Sequence, residues 1–172
     1  MTTTHTDPHS PDPDEERTPR VAQDDLPSAP ESADGAAGPA TVEIRTAARA
    51  ALIPTVRAVA SDLAARADFD LDAISDLRMA VDEACATLVG LATPDSALRC
   101  TFDVHGERID VSARVHTPDG AELPTDSFGW RVLQTLADRV SVEAGAADGA
   151  ASAADSASTL TIRLHKLSGP GL

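Results

Sequence analysis

Aromatic side chains are nearly absent from this 172-residue chain: they make up 2% of it, with no tyrosine, three phenylalanines (Phe69, Phe102, Phe128) and one tryptophan, Trp130. Any core must therefore be built from Ala, Val, Leu and Ile, which makes the position of each aromatic informative. Lysine is scarcer still. Lys166 is the only one, the other basic residues are arginine, and alanine is abundant, the usage of a GC-rich coding sequence. Two cysteines, Cys85 and Cys100, are too few for a disulfide framework and lack a metal-binding spacing. No stretch approaches ~18 consecutive apolar residues or a secretory leader, so the chain is expected in the cytoplasm, away from membranes and with reduced thiols. Excess positive charge is missing too. A formal net charge of −14 and a pI near 4.5 argue against direct nucleic-acid binding, which needs clustered Lys and Arg. They leave a basic protein partner open.

What the sequence does contain divides it in two. Residues 1–40, with "DPHSPDPDEERTP" and "DDLPSAPESADGAAGPA", concentrate proline, acid and small residues and hold hardly any large apolar side chain. Such a segment cannot bury enough surface to offset its ordering entropy, so it is expected to be a disordered acidic tail. Residues 41–168 carry the periodic patterns of one ordered domain.

"TVEIRTAA" alternates as a strand through Val42 and Ile44. "RAALIPTVRAVASDLAARA" follows, with Leu52, Val56, Val59 and Leu63 at helical spacing and Pro54 tolerable only in a first turn. "DFDLDAISDLRMAVDEACATLVGLA" places Ile74, Leu77, Val81, Ala84, Leu88 and Leu91 on one stripe of a long helix, with Asp70 or Asp72 as its N-cap. A hairpin comes next: Leu98, Cys100, Phe102 and Val104 alternate, a turn falls at His105–Gly106–Glu107, and Ile109, Val111, Ala113 and Val115 return. A polar loop leads to a short helix, "FGWRVLQTLAD". Two more strands, "RVSVEAG" and "TLTIRLHKL", are separated by a low-complexity loop. Strands joined by short loops imply a mixed, largely antiparallel sheet, and three helices cover one of its faces. The expected fold class is an α/β two-layer sandwich.

The order of elements, together with "ISDLRMAVDEACATLV" and "SFGWRVLQTLADRVSVE", resembles the anti-sigma-factor serine kinases of the RsbW and SpoIIAB type, which belong to the GHKL ATPase superfamily with the Bergerat fold. The resemblance covers residues 41–166 and is nearest to the RsbW-like (UsfX) proteins of GC-rich bacteria. It implies a cytoplasmic anti-sigma factor, commonly a homodimer. Such a protein binds and sequesters an alternative sigma factor of the stress or sporulation type and is released by a STAS-domain anti-anti-sigma factor. The acidic charge suits the Arg- and Lys-rich helices that sigma factors carry. The resemblance also implies ATP and Mg²⁺ as cofactors and a second reading from another class: an ATP-dependent serine kinase that phosphorylates the anti-anti-sigma factor.

Carried over position by position, the family's nucleotide motifs match in part. Glu83 matches the glutamate that acts as general base toward a serine hydroxyl. Thr87 stands where an asparagine coordinates Mg²⁺; a hydroxyl is a shorter and weaker ligand. The family's Asp-x-Gly-x-Gly reads adenine after the second hairpin strand, but here Val115 and His116 stand near that place. Asp119–Gly120 follows only after Pro118 and is simply read as a turn. The phosphate-cradling Gly-x-Gly at the start of the third helix is Ser127–Phe128–Gly129, with one glycine of the two. The candidate cofactor-binding residues are therefore Thr87, Asp119, Gly120 and Gly129, and the implied cofactors are bound weakly or not at all.

Each candidate has a plainer reading beside it. Asp82 reads as part of a solvated helix face. Glu83 is either a relic of the active site or a residue kept for partner or fold. Cys85 and Cys100 read as core. Phe128 and Trp130 either fill the vacated nucleotide cleft or form an exposed hot spot for a partner.

Overall fold

The computed structural model describes residues 1–4, 40–146 and 158–169. The tail reading for residues 1–40 lies almost wholly outside the described residues, as does the loop reading for 147–157. The chain divides into two units, Met1–Ala36 and Ala37–Leu172, and every element below belongs to the second.

The elements follow the expected order: β1 (Ala40–Ala47), a 3₁₀ turn (Ala50–Leu52), α1 (Ile53–Arg66), α2 (Leu71–Leu91), β2 (Ala97–His105), β3 (Arg108–Thr117), α3 (Phe128–Leu136), β4 (Arg139–Ala146) and β5 (Ser158–Leu167). The sheet runs β1-β2-β3-β5-β4, and all four pairings are antiparallel. The mixed component allowed for in the sequence is thus absent from the described ladder. The hairpin turn is also shorter than expected: His105 pairs with Arg108, leaving only Gly106 and Glu107 in the loop.

Period-2 patterning decides which face of the sheet is covered. Leu98, Cys100, Phe102, Ile109, Val111, Ala113, Val115, Leu160, Ile162 and Leu164 are buried beneath the helices. Between them, Arg99, Thr101, Asp103, Asp110, Ser112, Arg114 and His165 are partly exposed on the other face. Two layers therefore share one core, as the sandwich reading requires.

Helix α2 lies at the centre, packed against α1, α3 and strands β2, β3 and β5. Asp70 caps it by accepting a hydrogen bond from the Ala73 N–H at 2.7 Å, satisfying one of the donors orphaned at a helix start. Its buried set is broader than a single stripe: Ala73, Leu77, Ala80, Val81, Ala84, Cys85 and Leu88 are covered, while Ile74 and Leu91 are only partly so. A helix flanked on three sides buries more than one face.

Helix α1 corrects the sequence reading. Its buried face is Ile53, Val56, Ala60 and Ala64, with Leu52, Val59 and Leu63 partly exposed beside it. Small residues let two helices approach closely, so alanine takes the contact line and larger side chains flank it. Pro54 falls in the first turn as expected. Among the described residues no helix is long and apolar enough to cross a membrane.

Candidate functional site

The site is built where α2 meets the start of α3. Positions 79, 82, 83 and 87 lie along the part of α2 left uncovered by the sheet, so Met79, Asp82, Glu83 and Thr87 stay at least partly exposed. Ser127 caps α3, its hydroxyl accepting from the Trp130 N–H at 3.1 Å. Two residues singled out separately in the sequence then meet. Gly129 lies against the Glu83 carboxylate, and a Cβ at position 129 would collide with it. The first N–H groups of a helix have no intrahelical partner and carry partial positive charge, which favours an anion there. Glu83 brings a carboxylate of the chain's own to that end of α3.

Asp82 does more than face solvent. It accepts a hydrogen bond from the Arg57 guanidinium at 2.8 Å, joining α2 to α1 with both side chains half-exposed. Asp82 and Glu83 line a groove of about 570 Å³ among the three helices, together with Arg57, Met79, Val132 and Leu136.

Two of the other nucleotide candidates, Asp119 and Gly120, are not gathered there. Asp119 accepts a hydrogen bond from the Ser158 hydroxyl at 2.9 Å, at the opening of β5, and Gly120 has φ of +71°. The pair is the turn that its sequence indicates, with the positive φ that favours glycine. At the position expected of an adenine-reading carboxylate, Val115 is buried in the core and His116 faces the opposite side of the sheet. Thr87 is half-buried on α2. The chain contains no asparagine. Among the described residues no group of three or more His, Cys, Asp or Glu is arranged to hold a metal ion. Among the described residues Glu83 and Gly129 are brought together, while Asp119 and Gly120 lie apart from them at the turn beside the start of β5.

The two aromatics near the site part company. Trp130 is buried in the core cluster, whereas Phe128 is 82% exposed. Cys85 and Cys100 are both free and fully buried, with Sγ atoms 3.8 Å apart. The contact with Cys100, then burial, pushes the Cys85 thiol far above its ordinary range, so it stays protonated. Both cysteines are core, as read.

The sequence reading overlooked a polar tie. Lys166 sits on β5 at the same parity as Leu160, Ile162 and Leu164 and so points under the helices. Its ammonium donates to Asp76 of α2 at 2.9 Å and to the Leu136 carbonyl at the end of α3 at 3.0 Å. That parity is the signal that could have found it.

Residues 46–151 match the family model of the histidine kinase-like ATPase domain. Two curated relatives are the anti-sigma-F factors RsbW of Mycobacterium tuberculosis, from strains CDC 1551 / Oshkosh and ATCC 25618 / H37Rv. Each is 36% identical over 103 residues, covering 60% of this chain and 61% of the relative. The chain thus spans about three fifths of the length of the relatives it matches.

Proposed function

The chain belongs to the histidine kinase-like ATPase domain family, and from that premise we propose that it is an anti-sigma factor with a degenerate nucleotide site. It binds and sequesters an alternative sigma factor of the stress or sporulation type in the cytoplasm, acts as a homodimer, and is released by a STAS-domain anti-anti-sigma factor. The likeness to the mycobacterial anti-sigma-F factors supports the sigma-binding role.

One contact carries the reading of the nucleotide site: the Glu83 carboxylate against Gly129 at the start of α3. A phosphate seated on that helix end would meet a negative charge already in place, and like charges at close range repel. With Asp119 engaged by Ser158 and Val115 buried, the described residues place no carboxylate at the position where the family reads adenine. ATP and Mg²⁺ are then bound weakly or not at all, and sigma binding proceeds without them.

The test is a titration with a fluorescent ATP analogue and Mg²⁺, alongside sigma binding measured with and without nucleotide. The expected result is weak or no saturation, with sigma affinity that falls as salt rises, because the chain's net charge of −14 draws a basic surface. Sigma binding that requires ATP and Mg²⁺ would overturn the proposal.

A second reading, an active ATP-dependent serine kinase acting on the anti-anti-sigma factor, is favoured by Glu83 itself, which stands where the family's general base stands. Incubation with labelled ATP and the STAS-domain protein separates the two. Little or no phosphotransfer is expected. Robust phosphorylation that disappears in Glu83→Ala would establish the kinase.

A further inference from the structure

Strand β1 is an edge of the sheet and, among the described residues, pairs with β2 alone. Sheet edges are normally blunted by proline, lysine, a bulge or a short strand, because their open N–H and C=O groups template pairing with another chain. β1 has none of these devices. Its sequence, "ATVEIRTA", holds no proline or lysine, and its register with β2 runs unbroken from Ala40 opposite Val104 to Ala47 opposite Ala97. Val42 and Ile44 pack against the core yet are only partly buried. The edge therefore leaves apolar surface open as well as backbone.

The charges along β1 are self-complementary. Glu43 and Arg45 share its outer face, on either side of Ile44. When β1 pairs antiparallel with a second β1 about a two-fold axis, opposed residues share a face, so the axis passes through a residue. An axis through Glu43 or Arg45 sets like charge against like, which destabilises. An axis through Val42 shortens the overlap to Ala40–Ile44 and leaves both charges unpaired. An axis through Ile44 overlaps Thr41–Ala47 and sets Glu43 of each strand opposite Arg45 of the other. On the helix side the same register places Ile44 against Ile44 and Val42 against Thr46. Within one chain Arg45 is in register with a like charge, Arg99, while Glu43 reaches Arg99 at 3.4 Å and stays 47% exposed. A carboxylate has acceptor capacity for a second guanidinium. The other edge, β4, fits less well: the register that opposes Arg139 and Glu143 covers only Arg139–Glu143, and Glu143 already accepts from Arg163 at 2.9 Å.

We infer that β1 is the surface through which two copies of this chain pair, antiparallel and centred on Ile44, so that their sheets continue into one. The inference rests on the homodimer of the proposed function and names the contact that makes it. A second copy is the occupant because an isologous contact needs a patch complementary to itself, and Glu43–Ile44–Arg45 supplies one in a single register. A single strand pair is at the small end of protein interfaces, so the dimer is expected to be weak and concentration-dependent.

Sedimentation velocity of the full chain over a range of concentrations tests it. The parent is expected to pass from monomer to dimer. Glu43→Arg and Arg45→Glu each oppose like charges across the axis and weaken the dimer about tenfold or more. The double exchange, Glu43→Arg with Arg45→Glu, restores it, which a variant that merely loosened the fold would not do; far-UV spectra confirm that all three remain folded. Cysteine substitution reads the register. Two Ile44 Cα atoms in this pairing stand about 4.5–5.5 Å apart, within disulfide reach, so Ile44→Cys cross-links two chains under mild oxidation. Val42→Cys does not, because each Val42 lies opposite Thr46 of the other copy. A chain that stays monomeric at every concentration overturns the homodimer reading and this inference with it. A dimer that ignores the β1 exchanges, that is lost instead in Arg139→Glu on β4, or that cross-links through Val42→Cys and not Ile44→Cys overturns this inference alone.

Discussion

The carboxylate of Glu83, on α2, lies so close against Gly129, the second residue of α3, that position 129 has no room for a Cβ while Glu83 keeps its place. The atoms in the way are the far end of a flexible side chain, so the conflict is relieved by moving Glu83. Alanine is better than glycine inside a helix by about 0.8–1 kcal/mol. Gly129→Ala alone should therefore change stability little, because the gain in helix propensity is offset by the displaced carboxylate. In a Glu83→Ala background the same substitution should stabilise by close to the full helical increment. A double-mutant cycle from denaturant unfolding measures the difference. Additive effects would mean that the two residues do not touch.

Lys166 ties three elements together through Asp76 and the Leu136 carbonyl, with a side chain only 12% exposed. Removing it leaves Asp76 facing a half-buried surface without its cation, and hydrogen bonds to charged groups contribute about 1.5–3 kcal/mol. Lys166→Met keeps the apolar stem and loses the ammonium, so its cost should fall in that range. The paired change Lys166→Met with Asp76→Leu should cost less than Lys166→Met alone, because no uncompensated charge remains. Equilibrium unfolding of the three proteins decides it, and a double variant at least as unstable as the single one would show that the pair is not the source of the effect.

The sheet and α2 were legible in the sequence because their periods are carried by large side chains: Leu77, Val81 and Leu88 mark a helix, and Ile109, Val111 and Val115 a strand. Helix α1 was legible only as a helix. Its contact line is held by Ala60 and Ala64, whose weak hydrophobicity is outweighed in any pattern by Val59 and Leu63 beside them. Glu83 and Gly129 could each be found by motif, but their contact belongs to the packing of α3 on α2, which no local pattern encodes. That Arg45, Arg99 and Arg114 stand side by side could be seen only once the register of β1, β2 and β3 was known.

Cys85 and Cys100 provide a pH-dependent expectation. Their contact and burial hold the Cys85 thiol protonated in the fold, with its pKa raised above the ordinary thiol value of 9.0. A group whose folded pKa is raised contributes stability that is fully present below the unfolded pKa. That contribution is lost as pH climbs, because the unfolded chain releases the proton first. Stability should therefore decline as pH rises beyond the ordinary thiol range, and Cys85→Ala should flatten that decline while costing some packing at all pH values. In the native protein neither thiol should react with a disulfide reagent near neutral pH; both should react on unfolding. Rapid native-state labelling would place the thiols at the surface.

Phe128 and Trp130 stand two residues apart at the start of α3, yet only one of them belongs to the core. Trp130 is 9% exposed and packs in the same cluster as Leu133, whereas Phe128 is among the most exposed large apolar side chains described. Truncating a buried tryptophan removes both its transfer free energy and the packing around it, so Trp130→Ala should destabilise by about 3–5 kcal/mol. Phe128→Ala should stay within about 0.5 kcal/mol, as surface substitutions do. An aromatic left in solvent is, however, the kind of residue that anchors interfaces, where losing one costs more than about 1 kcal/mol of binding. Phe128→Ala should then weaken sigma binding several-fold in a protein that melts like the parent. Trp130→Ala should lower both stability and binding, and binding should recover where the variant is kept folded by lower temperature. Unchanged sigma affinity in Phe128→Ala would remove Phe128 from the contact surface and leave the groove between the helices, around Met79 and Asp82, as the place to look for the partner.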